Sequence, residues 1–231
     1  MIKAVFFDFY NTLTSFDPPR EELQAAACRE FGIEVDRKSI PRGYWFADDF
    51  MSRENARSPI HNRSQADELA FWSDYEAIIL GKAGVDVSKE LALRIFTKAR
   101  QLDRKLVLFD DALPIIRTLK VRGIVLGLVS NLSRALDGHV KELGLTPYLD
   151  FALTSSEIGA EKPHPPIFLA ALERAGVAAS EAIHVGDQYH SDVIGAKNVG
   201  INPLLLDRDG FWEGVNDCPR IRSLGETVNY L

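Results

Sequence analysis

Short apolar runs of strand length alternate with helix-period segments over much of this chain. The apolar runs cover residues 2–7, 124–129, 151–154, 182–185 and 203–206, and helical segments between them cover 112–122, 134–143 and 166–175. Strands that alternate with helices are typical of a parallel sheet with helices on both of its faces. We therefore predict an α/β fold whose core is a doubly wound, Rossmann-like parallel sheet.

Residues 15–109 interrupt this alternation. Long helical stretches at 20–31, 65–80 and 89–104 run there with no convincing strand between them. Asp17-Pro18-Pro19 marks the entry and Phe109-Asp110-Asp111 marks the return, where an aspartate can cap the helix that follows. We predict an all-α cap domain at 15–109, inserted into a catalytic core that is formed by 1–14 and 110–231.

Polar residues with catalytic chemistry follow several of the predicted strands. In doubly wound sheets, ligands bind outside the carboxyl ends of the strands. The residues at these positions are Asp8 and Thr12 after the first strand, Ser130 and Asn131 after the second, Asp187 and Asp192 after the fourth, and Lys162 in the connection leading to the fourth. We expect these side chains to converge at one edge of the sheet.

The charge balance and the cysteine content restrict the partners. The net charge is -6 and no basic run is present, which argues against nucleic acid and means that an anionic substrate needs a metal ion or placed cations. The apolar runs are far shorter than the roughly 20 residues of a bilayer span, and the first residues lack a signal-peptide pattern. The distant Cys28 and Cys218 indicate free thiols. We expect a cytoplasmic protein that does not bind a membrane.

Four short motifs carry a family resemblance. Asp8-Phe9-Tyr10-Asn11-Thr12-Leu13 resembles the first motif of the haloacid dehalogenase superfamily, Val129-Ser130-Asn131 the second, Lys162-Pro163 the third, and Gly186-Asp187-Gln188-Tyr189-His190-Ser191-Asp192 the fourth. Their order and spacing are similar to the family's, and the helical insert lies where that family carries a type I cap. The resemblance covers nearly the whole chain and implies a hydrolase.

A magnesium site follows from the chemistry of the acidic residues. A carboxylate that attacks a phosphate dianion meets repulsion, which a Mg²⁺ held by oxygen ligands removes. Asp8 and Asp187 are the natural ligands, and Asp192 ligates directly or through water. The resemblance implies the backbone carbonyl of Tyr10 as a further ligand. The expected cofactor is therefore Mg²⁺, and the expected substrate is a small phosphorylated molecule.

The remaining motif residues suit phosphoryl transfer. Asp8 acts as the nucleophile in this interpretation and forms an aspartyl-phosphate intermediate. Lys162 neutralises the nucleophile and the phosphoryl oxygens, while Ser130 donates a hydrogen bond to the transferring group. Thr12 and Asn131 belong to the same predicted catalytic set by their position in the motifs.

Tyr10 departs from the phosphatase pattern. The resemblance implies a second aspartate there, which protonates the leaving group and later activates water. A tyrosine with a pKa of about 10 suits this task poorly, and loss of an acid–base group typically costs about 10²–10⁴ in rate. The 2-haloacid dehalogenases carry a similar Asp-x-Tyr-x-Thr segment, but they lack the acid pair that Asp187 and Asp192 provide here. We favour a phosphatase; a dehalogenase and a non-catalytic binding protein are the alternatives.

Two further features are given the simpler interpretation. His190 lies beside the acidic residues, and unperturbed imidazole groups in general titrate near neutral pH, but we predict a solvent-facing loop residue rather than a replacement base. The aromatic run at residues 43–50 has the composition of a pocket lining, but we predict that it is part of the core of the inserted domain.

Overall fold

The computed structural model of the protein describes residues 1–132 and 136–231, apart from the side chain of His61. It consists of two compact units. The core unit comprises Met1–Ser15 and Leu106–Leu231, and the helical unit comprises Phe16–Lys105. The predicted boundaries were at residues 14/15 and 109/110. A role for the helical unit as a cap remains a prediction.

The elements are as follows in chain order. The strands are β1 (Ala4–Phe7), β2 (Thr14–Asp17), β3 (Lys105–Leu108), β4 (Val125–Ser130), β5 (Phe151–Thr154), β6 (Ala182–Gly186), β7 (Asn202–Leu206) and β8 (Arg220–Ile221). The α-helices are α1 (Arg20–Arg29), α2 (Ile40–Arg57), α3 (Gln65–Lys82), α4 (Lys89–Gln101), α5 (Ala112–Val121), α6 (Leu136–Glu142), α7 (Ser155–Ile158), α8 (Pro165–Ala175) and α9 (Ile194–Asn198). Short 3₁₀ helices lie at Ile60–Asn62, Ala179–Glu181 and Leu224–Tyr230, and a π-helical turn at Tyr189–Val193.

A six-stranded sheet forms the centre of the core unit. Its strand order is β5-β4-β1-β6-β7-β8, and the neighbouring strands are parallel. β1 pairs with β4 on one side and with β6 on the other, so that Phe7 lies opposite both Leu128 and Val185. The predicted α/β fold with a parallel sheet is confirmed.

Both faces of the sheet are covered by helices. Successive residues of a strand point to opposite faces. Val5 and Phe7 of β1 pack in an apolar cluster with α5 and α6, whereas Ala4 and Phe6 pack with α8 and α9. Burial on both faces explains why β1 is an unbroken apolar run rather than an alternating one.

The helical unit differs in part from the prediction. The stretches predicted at 20–31, 65–80 and 89–104 correspond to α1, α3 and α4, and Ser64 and Ser88 begin α3 and α4 with side-chain oxygens that accept backbone hydrogen bonds. The helix α2 was not predicted. Strands β2 and β3 were not predicted either; they lie at the two ends of the insert and form a separate two-stranded sheet.

The aromatic run at residues 43–50 forms part of α2. Gly43 lies against α3 so closely that an added Cβ would overlap the carbonyl of Ile79. Tyr44 and Phe50 pack on the apolar cluster of this unit but are only half-buried, whereas Ala47 is fully buried. Within the described residues, no helix combines the length and the apolar character that crossing a membrane requires.

Candidate active site

Asp8 lies at the carboxyl end of the central strand of the sheet. Its backbone N–H donates to the carbonyl of Val185 at 2.9 Å, which extends the pairing of β1 with β6 by one residue. Its side chain is buried, and Oδ1 accepts a hydrogen bond from Lys162 Nζ at 2.5 Å. The topology therefore brings together two residues that are far apart in sequence, as the motif order predicts.

Lys162 is a buried cation between two carboxylates. Its Nζ also donates to Asp192 Oδ1 at 2.7 Å. The side chain of Asn131 makes two hydrogen bonds with the backbone of this lysine. Asn131 Oδ1 accepts from the Lys162 N–H at 2.7 Å, and Asn131 Nδ2 donates to the Lys162 carbonyl at 3.0 Å. Asn131 thus fixes the segment that carries the lysine.

Electrostatics tie these three charged groups together. Burial raises the pKa of Asp8; the ammonium of Lys162 opposes this rise, and the carboxylate of Asp192 adds to it. Burial also disfavours ionisation of Asp192, but Lys162 and a hydrogen bond from His184 hold the pKa of Asp192 well below its usual range. The pKa of Lys162 is lowered by burial and raised more strongly by the two carboxylates. A further cation beside Asp8 would favour its ionised form.

Asp187 completes an acidic cluster with Asp8 and Asp192. One carboxylate oxygen from each of the three residues lies within 4.8 Å of the others. Asp187 directly follows β6, and Asp192 lies in the π-helical turn, where its Oδ2 accepts from the Gln188 N–H at 3.0 Å. Three carboxylates against the one ammonium of Lys162 leave an excess of two negative charges. Oxygen ligands with this excess charge fit a divalent cation such as Mg²⁺.

Gly186 is required by the close packing of this cluster. It ends β6, and an added Cβ would overlap the carboxylate of Asp192. The glycine of the fourth motif is therefore explained by the approach of an acidic side chain to the strand, not by an unusual backbone conformation.

The other predicted site residues differ in their burial and their contacts. Ser130 ends β4 and is buried. Thr12 is also buried, and its Oγ1 has no hydrogen-bond partner in the part of the chain that the structure describes. Tyr10 is half-buried, and its ring lies 5.4 Å from that of Phe9. His190 is half-buried rather than solvent-facing, with its ring 5.3 Å from the ring of Tyr189.

Sequence reasoning missed His184 and Arg208, which both contact residues of the motifs. His184 lies on β6 and reaches Asp192. Arg208, just after β7, donates two hydrogen bonds to Asp111 and one to the carbonyl of Thr12. Arg208 lies just after the fifth predicted strand, residues 203–206. It could therefore have been found as a polar residue at the carboxyl end of a strand. Asp111 was expected to cap α5, but its carboxylate binds Arg208 instead.

Comparison with known proteins gives a consistent family. A model of haloacid dehalogenase-like hydrolases matches residues 2–200. The chain is 30% identical over 211 residues to a ribulose-1,5-bisphosphate 5-phosphatase of Halopiger xanaduensis, which covers 90% of this chain and 85% of that protein.

Two solved structures illustrate the range of activities in the similar proteins. A HAD phosphatase from Thermococcus onnurineus is 26% identical, with a TM-score of 0.59, over 99% of this chain and 97% of the other. A 2-haloacid dehalogenase from Pseudomonas syringae is also 26% identical, with a TM-score of 0.58, over 99% of this chain and 97% of the other. Both share the fold described above.

Proposed function

The chain belongs to the haloacid dehalogenase-like hydrolases, and from this membership we propose that it is a Mg²⁺-dependent phosphatase that acts on a small phosphate ester. One observation carries the proposal: Lys162 joins Asp8 to Asp192 within an acidic cluster that also contains Asp187. A buried nucleophilic carboxylate, a cation and two further carboxylates are the groups that phosphoryl transfer needs. The phosphatase relative at 30% identity supports the same reaction class.

The proposed reaction has two steps. In the first, a carboxylate oxygen of Asp8 attacks phosphorus and the bond from phosphorus to the ester oxygen breaks; an aryl oxide or a carboxylate leaves as the anion, whereas an alkoxide takes a proton from water. In the second, water attacks the phosphorus of the aspartyl-phosphate and loses a proton to the solvent, the bond from phosphorus to the Asp8 oxygen breaks, and inorganic phosphate leaves as the Asp8 carboxylate is restored. Lys162 offsets negative charge in both steps. Asp8, Asp187 and Asp192 would hold Mg²⁺, which when bound reduces the repulsion between carboxylate and phosphate.

A dehalogenase is the second candidate. Tyr10 favours it, because halide leaves without a proton and needs no aspartate at that position. The 2-haloacid dehalogenase structure at 26% identity is a similar protein with this activity. The acidic cluster favours the phosphatase, because carboxylates that are placed to bind a metal ion have no evident use in a dehalogenase reaction without a metal. Activity toward phosphate esters and 2-haloacids, each measured with and without Mg²⁺, decides between the two.

Mg²⁺ should raise the melting temperature of the wild-type protein. A ligand that binds only the folded state stabilises it by about 2.7 kcal/mol at a hundred times its Kd, which for a chain of this size corresponds to roughly 5–10 °C. Asp187→Asn should lose most of this shift, because it removes one charged ligand. Thermal denaturation with and without Mg²⁺ measures the effect. Asp74→Asn, which changes an acid in the helical unit, is the matched control. An equal shift in Asp187→Asn would exclude Asp187 as a ligand.

Tyr10 should make the rate depend steeply on the leaving group. An alkoxide needs a proton to leave, whereas an aryl oxide leaves as a stable anion. Without an aspartate at position 10, the wild type should cleave aryl and acyl phosphates well and alkyl phosphates slowly. Tyr10→Asp should accelerate alkyl ester hydrolysis by up to about 10²–10⁴ and flatten the dependence. A plot of log kcat/KM against leaving-group pKa, measured for both proteins, provides the test. A flat wild-type line would identify another proton donor, and His190 would be the next residue to replace.

A further inference from the structure

His184 is a buried histidine that the four motifs do not include. It lies within β6 between Ile183 and Val185, and none of its surface is exposed. Its ring packs edge-to-face on Phe168, with 5.2 Å between the ring centres. Its Nε2 lies 2.9 Å from Asp192 Oδ1. Burying a polar side chain in an apolar strand costs free energy unless its polar atoms make hydrogen bonds.

The contact with Asp192 fixes which ring nitrogen donates. Asp192 is ionised beside Lys162, and a carboxylate can only accept hydrogen bonds. The hydrogen must therefore be on His184 Nε2. Nδ1 has no hydrogen-bond partner in the described part of the chain. His184 thus donates a hydrogen bond to the Asp192 carboxylate of the acidic cluster.

Three donors hold the Asp192 carboxylate in one orientation. Oδ1 accepts from Lys162 and His184, and Oδ2 accepts from the backbone N–H of Gln188. Lys162 in turn reaches Asp8 with the same Nζ. If one of the three donors is lost, the carboxylate can rotate, and the ammonium follows it away from Asp8. The chain of contacts runs from the strand interior to the proposed nucleophile.

We propose that His184 is a positioning residue, whose Nε2–H orients the Asp192 carboxylate so that Lys162 stays against Asp8. The proposal rests on the proposed function for its catalytic consequence. The contact between His184 and Asp192 does not depend on that function. His184 itself touches neither the substrate position nor Asp8 in this scheme, and it acts through Asp192 and Lys162.

The kinetic test compares two replacements of His184. His184→Leu removes the donor, and kcat for an aryl phosphate should fall about 10–100-fold, the usual cost of losing a group that orients a site residue, with KM nearly unchanged. His184→Gln places an amide N–H near the position of Nε2 and should recover most of kcat. Ser73→Ala removes a buried hydrogen bond in the helical unit and should leave kcat unchanged, which controls for a general loss of stability. Equal losses in the Leu and Gln variants would overturn the proposal.

A double-mutant cycle separates positioning from packing. If His184 acts through Lys162, then His184→Leu should lower kcat by less than about twofold when Lys162 is already Met, because coupled residues are not additive. If His184→Leu lowered kcat as much in the Lys162→Met protein as in the wild type, His184 would affect the site only by its packing in the core. That result would overturn the proposal.

Ring nitrogen NMR tests the contact independently of activity. In ¹⁵N-histidine-labelled protein, His184 should show a protonated Nε2, and its Nε2 signal should shift in Asp192→Asn. A protonated Nδ1 with a bare Nε2 would overturn the proposal even if the enzyme is active. A wild type that hydrolyses no phosphate ester but shows the expected ring signals would refute the proposed function and retain the orientation of Asp192 by His184.

Discussion

Asp8→Asn should abolish hydrolysis and leave the fold intact. The amide has nearly the same shape as the carboxylate but lacks its charge and its nucleophilic lone pair, so kcat should fall by roughly 10³-fold or more, as it does when other covalent nucleophiles are removed. Lys162 keeps its second partner, Asp192, in this variant. Turnover of an aryl phosphate and circular dichroism are measured on the same samples.

The stability of Asp8→Asn should equal or exceed that of the wild type. Burial raises the pKa of Asp8, so ionising this carboxyl group costs more free energy in the folded protein than in the unfolded chain. The penalty appears as pH rises above the unfolded pKa, and the amide removes it. Asp137→Asn on the exposed side of α6 is the matched control and should keep full activity. Residual activity above a few per cent in Asp8→Asn would remove Asp8 from the nucleophile role.

Lys162→Met should lose both activity and stability. The change leaves Asp8 and Asp192 buried side by side without their shared cation. Breaking a buried ion pair in this way typically costs about 3–5 kcal/mol, which for a chain of this size lowers Tm by on the order of 10 °C. The loss of a cation that faces developing charge should lower kcat by about 10²–10³. Urea denaturation and the inhibition constant of vanadate, a phosphate mimic, measure the two effects.

A second substitution separates these two effects of Lys162→Met. Lys162→Met combined with Asp192→Asn removes one of the stranded charges, so it should recover much of the stability but none of the activity. Unchanged stability and an unchanged vanadate constant in Lys162→Met would mean that the lysine is an ordinary side chain without a role in the charge balance of the site.

The strands of the core unit could be predicted well from sequence. Strands buried on both faces must be continuous apolar runs, and the predicted runs agree with β1, β4, β5, β6 and β7 to within two residues at either end. The helix at 134–143 corresponds to α6, although residues 134 and 135 lie outside the described residues. Strand prediction succeeds here because burial on two faces leaves few alternatives for the sequence.

The missed elements have physical reasons. The helix α2 contains Gly43 and a cluster of aromatic residues, which break the apolar periodicity that identifies a helix. The strands β2 and β3 have only four residues each, and in sequence they are separated by all the helices of the insert. The local sequence therefore gives little indication of either strand. Tertiary pairing, which a local pattern does not encode, determines both strands.

The structure brings together several charged residues that the sequence predicts for the site, but most of the contacts that hold them in place could not be predicted. The order of strands brings Asp8, Lys162 and Asp192 into contact, as residues placed after parallel strands should be. No sequence pattern indicates that Asn131 holds the lysine's backbone, because that contact depends on how the loop before α8 folds. His184 gave a usable signal that was overlooked, since a histidine in the middle of a buried strand requires a partner.

The central place of β1 in the sheet has a consequence for synthesis on the ribosome. Ala4 pairs with Val125 and with Ala182, so both partner strands are translated long after β1. At about 5–20 residues per second, the nascent chain carries an unpaired apolar strand for on the order of ten seconds. The helical unit, Phe16–Lys105, is compact by itself and is complete in sequence before either partner strand of β1 is translated. The same topology that places Asp8 at the middle of the sheet therefore leaves β1 waiting longer for a partner strand during synthesis than any other strand in the described residues.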